Sequence, residues 1–388
     1  MKLMILLLLS LLLATDVEAA GSKKCQAKFE KPREEVQAVR DDALPLCEPK
    51  SMTQPPLGCT GWHTVCQLNL RNDSYFPYID KHLVKDLVRS RVPRLAVARE
   101  LHYFDSAAVT SMTRWPQIDG GHTHLLKATH LSGGVMLVRP NSTRCLKAPC
   151  RLGSGRELAP GRVATGAAQS RAAQLASCRH WTTFSYGKQT RETVLYSRVA
   201  RGCLLEQAIG RLTEQRDMKL FVFGGRLAFV KVYAKRFQER GAQERISINN
   251  EYDVSYFSYP SWTRLHMYES RLNHPFAPQP RPPYLEAMVA DAEALAAGFA
   301  SVRVDFMAQA STYAFSELTF SHIACKGGTF MPPALELLYG SLATTGRGLS
   351  DGGSLEEHQL QLIAKYNRTH AWACNSKRVC TWKVRTEA

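Results

Sequence analysis

Two acidic side chains in the last third of the chain are spaced for chemistry on a divalent cation. Strands are predicted over 301–306 and 313–320, and a hairpin centred on Ser311 places Asp305 directly opposite Glu317. Opposed carboxylates repel each other unless a cation bridges them, and Mg²⁺ prefers oxygen ligands of this kind together with phosphate oxygens. The spacing therefore predicts a magnesium site. Two carboxylates that simply face water are the alternative, because a slip of one residue would break the pairing.

A second candidate site is a lysine followed by a loop that contains glycine. Lys127 ends a predicted strand, the loop after it closes with Ser132, Gly133 and Gly134, and the next strand follows directly. Glycines let backbone N–H groups approach phosphate oxygens, and lysine supplies positive charge. The segment is not a Walker A loop, because a strand rather than a helix follows it. Taken alone, the pattern is also that of an ordinary hairpin turn.

The elements that must position these residues form an α+β pattern dominated by antiparallel hairpins. One hairpin is predicted from strands at 219–223 and 227–233, since the two glycines between them permit the positive φ of a tight turn. A proline-rich connector at 274–283 precedes a helix at 285–299 with one apolar face. Apolar spacing predicts another helix within 79–88.

Length and composition exclude several classes of protein. The chain of 388 residues is long enough for two or three domains, and 45% hydrophobic with 22% charged residues excludes a disordered or fibrous chain. No interior stretch reaches the ~20 uncharged apolar residues of a membrane-spanning helix. The formal net charge of +16 favours polyanionic partners, with a merely soluble basic surface as the alternative. No basic run with interleaved aromatic residues indicates nucleic-acid binding.

The amino end has the layout of a secretory signal peptide. An aliphatic run at 3–14 follows a lysine and precedes small residues suited to cleavage after Ala19. An uncleaved membrane anchor is the alternative; after cleavage we expect no stable membrane insertion. The predicted location is the lumen of the secretory pathway or the extracellular space. Three sequons predict N-glycans there, at Asn72, Asn141 and Asn367.

The cysteines agree with this location. All eleven follow the predicted cleavage point, which favours disulfides formed in an oxidising compartment, whereas zinc sites are not favoured because no paired CxxC motif occurs. An odd number leaves at least one thiol outside any pair within the chain. Three close couples are predicted to close small loops: Cys59/Cys66, Cys145/Cys150 and Cys374/Cys380.

Five groups of residues occur together in an order typical of a known family. They are Asp80-Lys81, the loop 127–134, Leu204-Leu205-Glu206, Arg303-Val304-Asp305 and Glu317-Leu318-Thr319. In this order and spacing the chain resembles ATP-grasp enzymes, most closely the TupA-like ATP-grasp family linked to teichuronopeptide and surface-polysaccharide synthesis. The resemblance covers roughly 75–340 and includes the segments 217–225, 282–288 and 326–332. It implies an ATP-grasp fold, in which two α+β subdomains with antiparallel sheets sandwich ATP.

The resemblance implies a set of nucleotide-binding residues. Lys81 and Lys127 would contact ATP phosphates, with Lys127 also reaching toward the adenine. The loop residues 132–134 would belong to a flexible lid over the β- and γ-phosphates. Glu206 would lie in the hinge strand and bind the ribose or the adenine. Simpler roles remain open, in which Lys81 pairs with an acid on a helix surface and Glu206 is an exposed strand end.

The resemblance also implies a metal site and an anionic pocket. Asp305 and Glu317 would hold Mg²⁺, with Thr319 at the position where ATP-grasp metal sites often have asparagine. The candidates for contacts to a phosphate or an acyl phosphate are Arg303, Lys231 and Arg236. Lys231 is alternatively part of an ordinary hydrophobic strand. Three nearby histidines are predicted to lie in surface loops rather than to bind a metal: His122, His124 and His130.

The implied chemistry is ligation of a carboxylate to an amine. A substrate carboxylate takes the γ-phosphoryl group of ATP, and an amine then displaces phosphate to form an amide. The basic chain suits an acidic glycan or peptide as the substrate. Two alternatives stay open on the same fold, a kinase of sugar or protein hydroxyls and a glycan-binding protein without catalysis.

The domain organisation follows from the resemblance and from the changes in composition along the chain. Residues 145–178, rich in Gly, Ala, Ser and Arg, are predicted to form a flexible insertion. The predicted order is a signal peptide at 1–19, a Cys-rich extension at 20–74, a helical region at 75–120, an ATP-grasp N-subdomain at 121–215, a C-subdomain at 216–345 and a tail at 346–388.

Overall fold

The computed structural model describes most of the chain between residues 72 and 384. The described ranges are 72–118, 121–131, 133–184, 196–210, 212–233, 237–240, 245–248, 254–265, 279–321, 354–374 and 380–384, with residues 66, 69, 335, 338–340, 342 and 343. The predicted signal peptide, Ser132, Arg236 and the 326–332 motif therefore lie outside the described residues. The predicted domain boundaries and the N-glycans stay predictions.

The first sheet has six antiparallel strands and carries the predicted phosphate loop. Its strands are β1 (Glu100–Asp105), β2 (His124–Ala128), β3 (Val135–Arg139), β4 (Ser142–Lys147), β5 (Val163–Thr165) and β6 (Gly202–Gln207). They lie in the order β1-β6-β2-β3-β4-β5. Strand β6 pairs with β1 on one side and β2 on the other, so Glu206 lies near the end of an interior strand.

The second sheet also has six antiparallel strands and carries the predicted metal site. The strands that follow β6 are β7 (Arg216–Phe223), β8 (Arg226–Tyr233), β9 (Phe237–Arg240), β10 (Arg245–Ile248), β11 (Val254–Phe257), β12 (Arg264–Leu265), β13 (Ser301–Ala308) and β14 (Tyr313–Thr319). The sheet order is β12-β11-β8-β7-β13-β14, and β9 pairs separately with β10. Near the carboxyl end, β15 (His370–Cys374) pairs with β16 (Cys380–Val384).

Helices cover these sheets and supply part of the cores. They are α1 (Phe76–Ile79), α2 (Val84–Arg91), α3 (Ser106–Ser111), α4 (Ala167–Thr183), α5 (Leu285–Ala296) and α6 (Leu355–Thr369). Trp181 of α4 is fully buried in the core of the first sheet, and Leu285 and Met288 of α5 are fully buried in the core of the second. Among the helices of the described ranges, none has both the length and the apolar character needed to cross a bilayer.

The predicted hairpins are confirmed. Gly224 and Gly225 join β7 to β8 with φ values of 55° and 77°, a region that residues with a side chain seldom adopt. Asp305 pairs with Glu317 as the hairpin arithmetic predicts, and a bulge shifts the register immediately afterwards. The predicted register therefore holds from the pair Arg303–Thr319 to the pair Asp305–Glu317, and it is shifted by one residue beyond them.

Two predicted elements differ in the structure. The helix expected within 79–88 begins only at Val84, because the carboxylate of Asp80 accepts backbone hydrogen bonds from His82 and Leu83 and holds a turn there. The prediction of a flexible insertion at 145–178 was wrong, because this segment contains the end of β4, all of β5 and most of α4. Its small residues let α4 pack closely: the fully buried Ala173 belongs to the first core.

Disulfides fix α4 and the end of β4. The predicted Cys145–Cys150 bond is present, and a second bond, Cys178–Cys203, joins α4 to β6. The sequence did not indicate the second bond because its cysteines are 25 residues apart. Cys374 lies directly opposite Cys380 in β15–β16, and Cys59 lies outside the described residues.

Candidate functional site

A cleft with a cavity volume of about 50 Å³ lies where the two sheets meet. Leu125 and Glu206 line it from the first sheet, and Met307 and Phe315 line it from the second. Leu125 and Met307 also pack against a small apolar cluster that joins the sheets. The cleft thus has apolar walls with charged groups at one end, which is the usual composition of a site for a small organic ligand.

Two lysines hold Glu206 at the charged end of the cleft. Lys85 Nζ lies 3.0 Å from one carboxylate oxygen of Glu206, and Lys127 Nζ contacts the other oxygen. Lys85 also donates to the carbonyl of Ala98 at 3.2 Å and lies 3.8 Å from Glu100. The Glu206 side chain is only 4% exposed, so the simpler explanation of an exposed strand end is wrong.

Lys85 and Lys127 keep the carboxylate of Glu206 ionised. Burial alone would raise the pKa of the Glu206 carboxyl, but the charges and hydrogen bonds of Lys127 and Lys85 outweigh burial and lower it. Glu206 is therefore an anion at neutral pH. A second anion placed in the cleft would compete with Glu206 for the ammonium of Lys127.

Lys81 lies between the loop and the second sheet. Its Nζ donates to the carbonyl of Ala128 at 3.0 Å and to that of Leu131, so it closes the loop after β2 rather than pairing with an acid on a helix surface. Burial lowers the pKa of Lys81 to about 8; the negative charge of Glu317 opposes this effect and the positive charge of Lys127 adds to it. Lys81 thus links the electrostatics of the two predicted sites.

The glycines of the loop are packed tightly against the end of β4. A Cβ atom on Gly133 would lie 2.1 Å from the carbonyl oxygen of Ala148, and Gly134 has φ +66° next to Trp181. The Gly134 N–H donates to the same carbonyl at 3.0 Å. Both positions therefore require glycine for close backbone approach. Their predicted contact with phosphates stays a prediction, and Ser132 lies outside the described residues.

A row of charged residues crosses the second sheet. The register places Lys231 opposite Lys219, Lys219 opposite Asp305, and Asp305 opposite Glu317. Residues directly opposite one another in an antiparallel sheet have side chains on the same face. Lys219 contacts Asp305 and lies 3.2 Å from Asp217 Oδ2. The predicted acids therefore share their face with a lysine of β7.

Arg303 brings the three predicted metal ligands together. Its Nη2 atom lies 2.7 Å from Asp305 Oδ2, 3.1 Å from Glu317 Oε1 and 2.9 Å from Thr319 Oγ1. Its Nε atom donates to Asp305 Oδ1 at 2.6 Å. Two carboxylates and one hydroxyl thus converge on a single positively charged nitrogen.

Opposite charges set the protonation states of this cluster. Burial would raise the pKa of Glu317, but Lys219, Arg303 and Lys81 lower it well below its usual range. Burial would lower the pKa of Arg303, but Asp305 and Glu317 raise it above the ordinary value. Burial and the charge of Arg303 lower the pKa of Lys219, against the opposing effect of the carboxylates. The carboxylate of Glu317 is therefore an anion and Arg303 a cation at neutral pH.

The donor set fits Mg²⁺ by its chemistry. The three oxygens around Nη2 come from two carboxylates and a hydroxyl, and Mg²⁺ is bound through one or two carboxylates with water and phosphate oxygens completing its shell. No group of three or more His, Cys, Asp or Glu side chains in the described ranges has a metal-binding arrangement. A metal at this position would therefore depend on ligands that a nucleotide supplies.

Lys231 and Arg236 are the other two residues predicted to contact a phosphate. Lys231 is fully buried in β8, with its Nζ 4.7 Å from the ring centroid of Tyr233 and 5.4 Å from that of Tyr256. Such cation–π contacts stabilise a desolvated ammonium. Lys231 is in the same cross-strand row as Lys219, and its role stays a prediction. Arg236 lies outside the described residues.

Two functional candidates were missed by sequence reasoning. Lys85 follows Lys81 by four residues, a spacing that would place both on one side of a helix, and Lys219 is followed by four apolar residues in its strand. Each is nearly fully buried and ion-paired with a predicted site residue. The sequence feature that could have identified them is a lysine among apolar residues. Apolar neighbours predict burial, and charged side chains are almost never fully buried unless they are paired.

Two of the three histidines are buried, which corrects the prediction of surface positions. His124 is the first residue of β2 and His130 follows the end of that strand; both are buried, whereas His122 is exposed. Burial lowers the pKa of His130 to about 4, and the positive charge of Lys81 adds to this effect. His130 is therefore neutral in the folded protein near neutral pH.

The depressed pKa of His130 predicts loss of stability in acid. The unfolded chain binds a proton at this histidine near the ordinary imidazole pKa of 6.5, whereas the folded chain binds it only near 4. The free energy of unfolding should fall as the pH decreases through this window, by about 3 kcal/mol from this group. Urea unfolding of His130→Gln between pH 7 and pH 4 should show a flatter pH dependence than that of the unsubstituted protein. The exposed control, His122→Gln, should retain the full dependence; an unchanged slope in His130→Gln would refute the assignment.

Comparison with known families agrees with the sequence resemblance. Residues 183–342 match the model of the family described as TupA-like ATPgrasp. The matched residues include Glu206, Arg303, Asp305 and Glu317, and they run from the end of α4 through the whole second sheet. The match confirms the predicted resemblance and, over these residues, the ATP-grasp class of fold, and the two antiparallel sheets with their helices confirm the α+β class. Lys81 and Lys127 lie before the match.

Comparison with solved structures finds matches of low similarity. The D-alanine–D-alanine ligase of Bacillus anthracis has 11% identity and a TM-score of 0.32, with 75% of this chain and 69% of that chain covered. The L-amino acid ligase of Bacillus licheniformis has 9% identity, a TM-score of 0.36, and coverages of 83% and 59%. The ATP-grasp ligase PsnB, complexed with minimal precursor, Mg and ADP, has 15% identity, a TM-score of 0.29, and coverages of 78% and 65%. No curated protein sequence matches the chain.

Proposed function

With residues 183–342 carrying the TupA-like ATP-grasp match, we propose that the protein is an ATP- and Mg²⁺-dependent carboxylate–amine ligase. Its substrate in this proposal is an acidic glycan or an acidic peptide, which suits the net charge of +16. The observation that carries the proposal is the convergence of Asp305, Glu317 and Thr319 oxygens on one point of the second sheet, beside a cleft lined by lysines.

The nucleotide in this proposal binds in the cleft between the sheets. The apolar side chains of Leu125, Met307 and Phe315 would contact the adenine, and Glu206 would accept hydrogen bonds from the ribose or the adenine. Lys81 and Lys127 would contact the phosphates. Their ammonium groups already lie at the charged end of the cleft, which lowers the reorganisation required when an anion binds.

Asp305 and Glu317 would hold Mg²⁺, with Thr319 binding it directly or through water. When bound, the metal would neutralise phosphate charge and orient the γ-phosphoryl group. Arg303 and Lys219 would then stabilise negative charge on the transferring group from the same face of the sheet. No nucleophilic side chain is required, because positioning and charge stabilisation account for most of the rate enhancement in this class of reaction.

The proposed location is the lumen of the secretory pathway or the extracellular space. Two disulfides, Cys145–Cys150 and Cys178–Cys203, support this part of the proposal because structural disulfides persist in oxidising compartments. ATP must then be available in that compartment. The signal peptide at 1–19 is the predicted route of export.

Product analysis tests the proposed reaction. The full chain is incubated with Mg²⁺, γ-³²P-ATP, an oligogalacturonide or poly-glutamate as the carboxylate, and an amine. A ligase releases inorganic phosphate and forms an amide only when carboxylate and amine are both present. A stable phosphorylated product would identify a kinase instead, and bound substrate without ATP turnover would identify a glycan-binding protein; either result would contradict the proposal.

A further inference from the structure

The cation position of the second sheet is filled by a side chain of the protein itself. Nη2 of Arg303 is within 3.1 Å of oxygens of Asp305, Glu317 and Thr319, the three residues proposed to hold Mg²⁺. A second nitrogen of the same guanidinium bonds the other oxygen of Asp305 at 2.6 Å. A metal ion that reached these three oxygens would have to take the position of Nη2.

We propose that Arg303 is an internal counter-ion that occupies the metal position until a nucleotide-bound divalent ion displaces it. The inference rests on the proposed magnesium site. In this proposal, metal binding and release of Arg303 occur as one exchange. The guanidinium leaves the three oxygens when the metal ion arrives, and the released guanidinium can then bind a phosphate. Free metal ions without nucleotide would enter poorly, because they must displace a bidentate guanidinium without any compensating contact for it.

The charges of the cluster favour such an exchange. The ion pairs run from Asp217 through Lys219, Asp305 and Arg303 to Glu317, so that three carboxylates face two cations within this chain of contacts. One negative charge is left over. Replacement of the singly charged guanidinium by a doubly charged ion would neutralise the chain of contacts, while Lys219 keeps its contacts to both aspartates.

The solvent exposure of the side chains indicates which hydrogen bonds of Arg303 can break. The Asp305 side chain is almost fully buried, whereas the Glu317 side chain is 37% exposed and that of Arg303 is 10% exposed. Glu317 is therefore the partner of Arg303 that solvent reaches most easily, and Asp305 is the partner that solvent reaches least. The bonds of Arg303 to Glu317 and Thr319, at 3.1 and 2.9 Å, are longer than those to Asp305.

Binding of Mn²⁺, measured by electron paramagnetic resonance on the full chain, tests this inference without requiring activity. In the absence of nucleotide, Arg303→Gln should bind Mn²⁺ about 10-fold more tightly than the unsubstituted protein, because the competing cation is removed. Arg303→Lys should bind it with intermediate affinity, because an ammonium lacks the bidentate geometry. The matched control, Arg226→Gln, removes the same charge from an exposed position at the start of β8 and should leave Mn²⁺ binding unchanged.

The outcomes separate the inference from the proposed function. Equal Mn²⁺ affinities of Arg303→Gln, Arg303→Lys and the unsubstituted protein, together with normal Mn²⁺-ATP binding by the latter, would overturn the exchange and leave the ligase proposal in place. Absence of Mn²⁺-ATP binding by the unsubstituted protein would overturn the metal site itself. Thermal unfolding verifies that each variant is folded, and Arg303→Lys carries the comparison if Arg303→Gln does not fold.

Discussion

Replacing Asp305 with alanine is expected both to weaken Mg²⁺-dependent nucleotide binding about 100-fold and to destabilise the protein by about 3–5 kcal/mol. Both oxygens of its buried carboxylate are bound by Arg303, and Lys219 contacts one of them. Removal leaves two cations desolvated without their main partner. Isothermal titration with a non-hydrolysable ATP analogue measures the first effect, and urea unfolding measures the second.

Glu317 provides the matched comparison for this prediction. Its side chain is 37% exposed, and Arg303 contacts one of its carboxylate oxygens, so Glu317→Gln should cost about 1 kcal/mol of stability or less. Nucleotide binding in magnesium should nevertheless fall by about the same factor as in Asp305→Ala, since both lose a carboxylate ligand. Normal nucleotide affinity in both variants would contradict the metal assignment. Equal destabilisation by the two substitutions would contradict the burial argument.

Replacing Glu206 with glutamine is expected to destabilise the protein by about 3–5 kcal/mol and to weaken nucleotide binding. The neutral amide would leave Lys85 and Lys127 side by side without the carboxylate that neutralises both. Urea unfolding at pH 7 measures the loss of stability. Titration with ATP measures the loss of affinity, which follows because Glu206 is proposed to bind the ribose or the adenine.

A double variant tests whether charge is the cause. Lys85→Met alone should also destabilise, because it removes one partner of the buried Glu206 carboxylate, by about 2 kcal/mol. Combined with Glu206→Gln, however, it should restore part of the lost stability, because it removes one of the two unneutralised ammonium groups. Strictly additive losses in the double variant would show that Glu206 acts through packing rather than through its charge.

Local patterns predicted the parts of the fold that depend on neighbouring residues. Alternation along two strands and a short connection were enough to place Asp305 opposite Glu317, because the side-chain period of a strand and the position of the turn determine the register. The β7–β8 hairpin followed in the same way from apolar strands and two glycines. The bulge after Asp305 was not predicted; beyond it Phe315 bridges to Val97 and its N–H donates to the carbonyl of Ala96, contacts with a segment more than 200 residues away.

Contacts between segments that are far apart in the chain could not be predicted from the sequence. Lys219 reaches Asp305 because β7 pairs with β13, strands that are more than 70 residues apart, and Lys85 reaches Glu206 across 121 residues. The Cys178–Cys203 bond has the same origin, in the packing of α4 on β6. Composition also misled where small residues were taken to indicate flexibility, because alanine and serine equally permit a closely packed helix such as α4.

Thermal unfolding tests directly whether the cleft binds a magnesium nucleotide. The melting temperature of the full chain is determined with ATP in the presence of Mg²⁺, with ATP and a chelator, and with Mg²⁺ alone. We expect a marked increase in the melting temperature only for ATP with Mg²⁺, and loss of that increase in Glu317→Gln. An unchanged melting temperature under all three conditions, or an equal increase with the chelator, would contradict the proposed binding.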